Sequence, residues 1–139
     1  MKHILYTILL YIFIFFLSAC ADHKVNTQLR EAELLIENQP DSALTLLLSI
    51  NDAKQLEGKD RADYALLLTK ANDKNYILHN SDSLIKIAVD YYAASRNKER
   101  KAEAYFYLGS VYRDMDLRPE AIKAFQEALR INNYTRWYI

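Results

Sequence analysis

Residues 102–133 read AEAYFYLGSVYRDMDLRPEAIKAFQEALRINN, and the spacing of their apolar residues decides the fold. Tyr105, Leu108, Gly109 and Tyr112 step by i, i+3, i+4, i+7. Beyond Pro119-Glu120, the residues Ala121, Phe125, Ala128 and Leu129 step by i, i+4, i+7, i+8. Both are stripes along one side of an α-helix, and neither has the period of two that a strand requires. Pro119 suits a first helical turn, where its missing N–H is not needed, and Glu120 favours the positive end of the helix dipole. The stretch predicts two helices joined by a short connection.

Similar starts recur upstream. Pro40-Asp41-Ser42-Ala43-Leu44 and Ser81-Asp82-Ser83-Leu84-Ile85 precede Pro119-Glu120-Ala121-Ile122-Lys123, at intervals of 41 and 38 residues from Asp41 to Asp82 to Glu120. A period of this size is the mark of stacked helical pairs. Val25, Leu29, Ala32 and Ile36 predict a helix before the first start, and Ala43, Leu46, Leu47 and Ile50 one after it. Around the second start, Ala65, Leu68 and Thr69 pair with Leu84, Ile87, Ala88 and Tyr91. The polar stretches 51–60 and 95–101 read as connections. The expectation is an all-α chain of six helices in three antiparallel hairpins. Two glycines and two prolines in 139 residues agree with long helices.

The third unit resembles a tetratricopeptide repeat. That pattern wants a large aromatic, Leu-Gly, Tyr, Ala, Phe, Ala and a closing Pro; here stand Tyr105, Leu108-Gly109, Tyr112, Ala121, Phe125, Ala128 and Asn133. Gly109 and Ala121 are small where two helices approach closely, and Tyr112 and Phe125 fill the space between them. The second unit keeps only Ala65, Leu68-Thr69 and Asn72, and the first is shorter still. The resemblance implies a right-handed solenoid over residues 25–133, with units at 25–50, 61–94 and 102–133. Residues 134–139, Tyr-Thr-Arg-Trp-Tyr-Ile, are too apolar for an exposed tail. They read as the start of a truncated fourth repeat or as a minimal cap, since every solenoid unit presents an apolar face to the next.

The N-terminus carries an address. Lys2 and His3 precede a 14-residue apolar run, Ile4 to Leu17, broken only by Thr7 and shorter than the ~20 residues of a membrane span. It ends in Leu17-Ser18-Ala19-Cys20, which resembles the lipobox of bacterial lipoproteins: an aliphatic residue, two small residues and the chain's one cysteine. The resemblance implies a signal peptide at 1–19, a lipidated Cys20 with a tether over 20–24, and anchoring to a membrane by several acyl chains. No acidic cluster follows Cys20, so the expected location is the cell envelope, facing the periplasm.

Catalysis has little to work with. No nucleotide-binding glycine pattern occurs, and a single cysteine excludes an internal disulfide. The 18 basic and 18 acidic side chains balance, which gives no electrostatic case for nucleic acid. No His-Glu-x-x-His pair exists, so no metal, cofactor or catalytic residue is assigned. His79 reads as a favourable charge at a helix C-terminus. Glu31, Asp60, Asp73, Glu99 and Asp114, each beside Lys or Arg, read as a solvated face. Glu33 with Glu37, and Glu99 with Glu103, are spaced to share one. The exposure of Tyr76, Tyr92 and Tyr107 stays open.

The repeat resemblance implies a groove lined by the first helix of each pair and open to an extended peptide or partner helix. Carried over, its positions are Glu103, Phe106, Ser110 and Arg113 in the third unit and Asp63, Leu66, Lys70 and Asp73 in the second, with Phe106 and Leu66 as apolar anchors. The Lys/Asn set that clamps a C-terminal carboxylate in some relatives is not reproduced. The expected function is a lipid-anchored, non-catalytic protein-interaction module. The alternative is the sensory N-terminal part of a membrane-bound regulator, because the chain also resembles the start of longer lipid-anchored repeat proteins of Bacteroidetes, some of which continue into a membrane helix and a DNA-binding output domain.

Overall fold

A computed structural model describes residues 24–51 and 53–136, with side chains as far as residue 132. The expected signal peptide, Cys20 and residues 137–139 lie outside that range. The fold is all-α: every described element is helical. The helices are α1 (24–35), α2 (Pro40–Leu48), α3 (Gly58–Lys74), α4 (Ser83–Ala93), α5 (Lys98–Asp114) and α6 (Arg118–Arg136), with a short 3-10 turn at Ala53–Gln55.

Local chemistry sets several of these ends. Pro40 opens α2 with Asp41 behind it. The Asn97 side chain caps α5 by accepting the Arg100 N–H at 3.0 Å. The expected unit starts at 61 and 102 therefore move back to Gly58 and Lys98, because polar residues that read as connection supply first turns and caps. The other difference is at the C-terminus. No Gly or Pro follows Asn132-Asn133, and α6 runs on to Arg136. Residues 134–136 prolong the last helix instead of opening a new element.

Helices α3 and α5 are each 17 residues long, start 40 residues apart and end alike. After α3, the Ile77 N–H reaches the Asn72 carbonyl (3.0 Å) and the Tyr76 N–H that of Asp73 (3.1 Å). After α5, the Leu117 N–H reaches Tyr112 (2.8 Å) and the Asp116 N–H reaches Arg113 (3.0 Å). Tyr76 and Asp116 are left-handed, at φ 58° and 56°. This is the Schellman ending, which satisfies the last carbonyls of a helix and here uses no glycine. It turns each chain sharply into the next helix, and a tyrosine in this conformation stores about 1 kcal/mol of strain.

The core falls into two clusters that meet on α3. Leu29, Ala32 and Ile36 of the first segment close over Ala43, Leu47 and Ile50, with Leu67 and Ala71 of α3 beneath. On its other side, Leu66 packs with Ile85, Ala88, Tyr92 and, from α5, Tyr107 and Val111. In α4 the inward stripe is Ile85, Ala88, Val89 and Tyr92, with Leu84 and Ile87 only partly buried and Tyr91 exposed. The expected stripe was one residue off, because both sets have helical spacing and α4 packs on α3 and α5 together. Gly109 meets the Phe125 ring as its sequence position implies: a Cβ there would lie 2.6 Å from two ring carbons.

Candidate functional site

Helices α1, α3 and α5 lie side by side and run the same way. Asn26 bonds Asp60 near their starts, while Glu37 pairs with Lys74 at their ends. Asp73 pairs with Arg113 where α3 and α5 finish. The face they share is a ladder of ion pairs. Glu33 holds Arg100 at 2.6 Å across 67 residues of sequence. Lys70 bridges Glu37 (3.0 Å) and Glu103 (2.9 Å), and Arg100 holds the other oxygen of Glu103 at 3.1 Å. Burial works against the Lys70 ammonium, but the two carboxylates outweigh it and raise its pKa above the ordinary lysine value. Lys74 and Lys70 hold the Glu37 carboxyl below its usual range.

Beneath the ladder, Asp63 is buried between α3, α4 and α5. Its carboxylate accepts hydrogen bonds from the Tyr92 hydroxyl and from Lys59, with Arg100 at 3.9 Å. Burial first, and the hydrogen bond to Asp63 second, push the Tyr92 phenol well above its ordinary pKa. A cleft of about 560 Å³ opens over this group, lined by Arg30, Glu33, Lys59, Asp63 and Arg100. Burial also raises the Tyr107 phenol, to about 12.

The eight groove positions therefore separate. Lys70, Asp73, Glu103 and Arg113 reach the shared face, but mainly pair with one another across helices. Phe106 is 47% exposed and rests against Tyr107 and Phe125. Leu66 is fully buried, so it is no exposed anchor; α5 covers it, whereas no described element covers Phe106. Ser110 and Asp63 are buried as well. Glu33 and Glu37 do share a face, and it is this one.

Asp114, expected on a solvated face, and His79, expected as a favourable charge at a helix C-terminus, both have buried side chains. His79 sits in the connection after α3, beyond the helix end. Its backbone N–H (3.2 Å) and Nδ1 (2.8 Å) meet one oxygen of Asp114, and Arg113 holds the other at 2.8 Å. A carboxylate only accepts, so Nδ1 carries the proton. Nε2 is buried with no partner among the described residues. Burial opposes the Asp114 charge, but His79 and Arg113 outweigh it, and its carboxyl lies below the ordinary 3.8. A depressed folded pKa contributes stability that is complete above the unfolded value and is lost as pH falls through the folded one. Asp114→Asn should therefore cost stability at pH 7 and flatten the loss on acidification below about pH 4. Urea unfolding at stepped pH checks this, and parallel curves for the two proteins would refute it.

The spacing of Glu33 and Glu37 puts them on one face, but nothing local in the sequence joins Tyr92 to Asp63 or Glu33 to Arg100, because these partners lie 29 and 67 residues apart. Among the described residues, no group of three or more His, Cys, Asp or Glu is placed to hold a metal ion, and no helix is long and apolar enough to cross a membrane. Comparison of the chain with protein-family models, with curated proteins and with solved structures finds no match.

Proposed function

We propose that this chain is a lipid-anchored helical-repeat protein of the bacterial cell envelope that binds a protein or peptide partner and carries out no reaction. The observation that carries the reading is the equivalence of α3 and α5: the same length, 40 residues apart, with the same backbone ending. Gly109 against Phe125 adds the close contact that a tetratricopeptide hairpin needs. On this reading the three helix pairs form a right-handed solenoid tethered through Cys20, and α1, α3 and α5 line its binding side. Phe106 is the apolar anchor, flanked by Arg113 and Glu103. The ion-pair ladder holds the helices in register, so a partner meets a preorganised surface and little ordering cost opposes binding.

Two measurements test this together. Labelling of cells with radioactive palmitate should mark the wild type and miss Cys20→Ser; equal labelling removes the anchor. Cross-linked pull-downs from envelope membranes should lose partners when Phe106→Ala is combined with Arg113→Glu. If every partner is retained, this face is not the contact surface.

A further inference from the structure

A second concavity lies away from the α1–α3–α5 face, in the angle between α3 and α4. It encloses about 820 Å³, within the ordinary range for small-molecule sites. Leu68 and Tyr64 of α3, Leu84 and Ile87 of α4, and Ala53 of the 3-10 turn make its walls apolar. The groove runs along the seam of the two core clusters: Leu84 and Ile87 pack on one, and Tyr64, Leu68 and Ala53 on the other. It exists because α2, nine residues long, packs on α3 and does not reach α4.

Comparison with the last helix pair shows that the α4 wall differs from its counterpart in α6. The buried residues Ile85, Ala88 and Tyr92 of α4 correspond to buried Ala121, Ala124 and Ala128 of α6, each 36 positions on. In the same register, Leu84 and Ile87 correspond to Glu120 and Lys123, which are exposed. The outward positions that α6 fills with charge, α4 fills with aliphatic side chains.

Two cations stand at the rim. Lys54 and Arg61 line the groove and are exposed, and neither has an acidic partner among the described residues. Most other basic groups near α3 are paired: Lys59, Lys70, Lys74 and Arg100. Burial against these walls raises the Tyr64 phenol above its ordinary value, so this hydroxyl stays neutral. An apolar trough with exposed cations at one edge complements a molecule with an apolar length and an anionic end. An α-helix with its side chains is about 10–12 Å across, roughly 500 Å³ per turn. The groove would take less than two such turns, whereas an alkyl chain is far thinner.

We propose that the α3–α4 groove binds a single-chain anionic amphiphile, with its alkyl chain along Leu68, Leu84 and Ile87 and its headgroup between Lys54 and Arg61. A free fatty acid and a lysophospholipid share this chemistry.

The test is photo-cross-linking of the full chain, in zwitterionic detergent, with a palmitate analogue carrying an aliphatic diazirine, followed by peptide mapping. Adducts should fall in peptides containing residues 53–68 and 84–87, and unlabelled laurate or lysophosphatidylglycerol should compete, the stronger competitor indicating the source. Reversing both rim charges (Lys54→Glu with Arg61→Glu) should weaken labelling at least about tenfold, since two attractions to the headgroup become two repulsions. Ile87→Trp should block the trough with helical content unchanged by circular dichroism. Adducts confined to residues 1–19 or to α5 and α6, equal labelling by an alkylammonium diazirine, or competition only by a protein partner would each overturn the proposal.

Discussion

Asp63→Ala is expected to lower stability by about 3 kcal/mol, as removal of one member of a buried charged network does. The Tyr92 hydroxyl then loses its acceptor in a place where burial has already displaced water, and an unsatisfied buried polar group costs about 1–3 kcal/mol. Arg100 keeps Glu33 and Glu103 but loses the third carboxylate near it. In a domain of this size the melting temperature should fall by roughly 10 °C or more. A double-mutant cycle with Tyr92→Phe separates the hydrogen bond from the rest. A coupling near 1–2 kcal/mol is expected from a hydrogen bond to a charged group. A loss under 1 kcal/mol for Asp63→Ala, with no coupling to Tyr92, would show that the carboxylate is solvated and not part of the core.

Gly109→Val is the second large effect, with an expected loss of about 3 kcal/mol from overpacking. The Phe125 ring occupies the space a Cβ needs, three of its carbons lying within 2.9 Å of that position. Gly109→Ala should cost less, because alanine recovers up to about 1 kcal/mol of helix propensity. Trimming the obstacle provides the check: Phe125→Leu should relieve much of the valine penalty even though it costs stability in the wild type. If the double variant is simply additive, Phe125 is not what excludes a side chain at Gly109. Chemical denaturation of the wild type and the four variants reads all of these terms.

The residues of these two experiments differ in how visible they were. Gly109 and Phe125 lie sixteen positions apart within one helix pair, and the spacing of apolar residues around them is enough to predict close packing. Leu29, Ala32 and Ile36 were legible as core for the same reason. Asp63, Tyr92 and Arg100 come from three different helices, and Asp63 looked like one more charged position on the face of α3. Leu66 and Phe106 hold the same place in two equivalent helices, yet one is sealed and the other half open. Their difference lies in what packs over them: α5 covers Leu66, whereas no described element covers Phe106, and no local pattern encodes that. His79, which reads as a helix-terminus charge, and Asp114, which reads as a solvated one, meet only because the connection after α3 closes onto the end of α5.

Helix content, the repeated unit and the small residue at Gly109 follow from periods of three to four residues, which act within one or two turns and leave a trace in any short stretch of the chain. The buried carboxylate, the ion-pair ladder and the open groove beside α4 depend on which helix lies against which, and on how far a short α2 reaches. Desolvation and long-range charge act on distances in space, and those distances come into being only when all the helices pack.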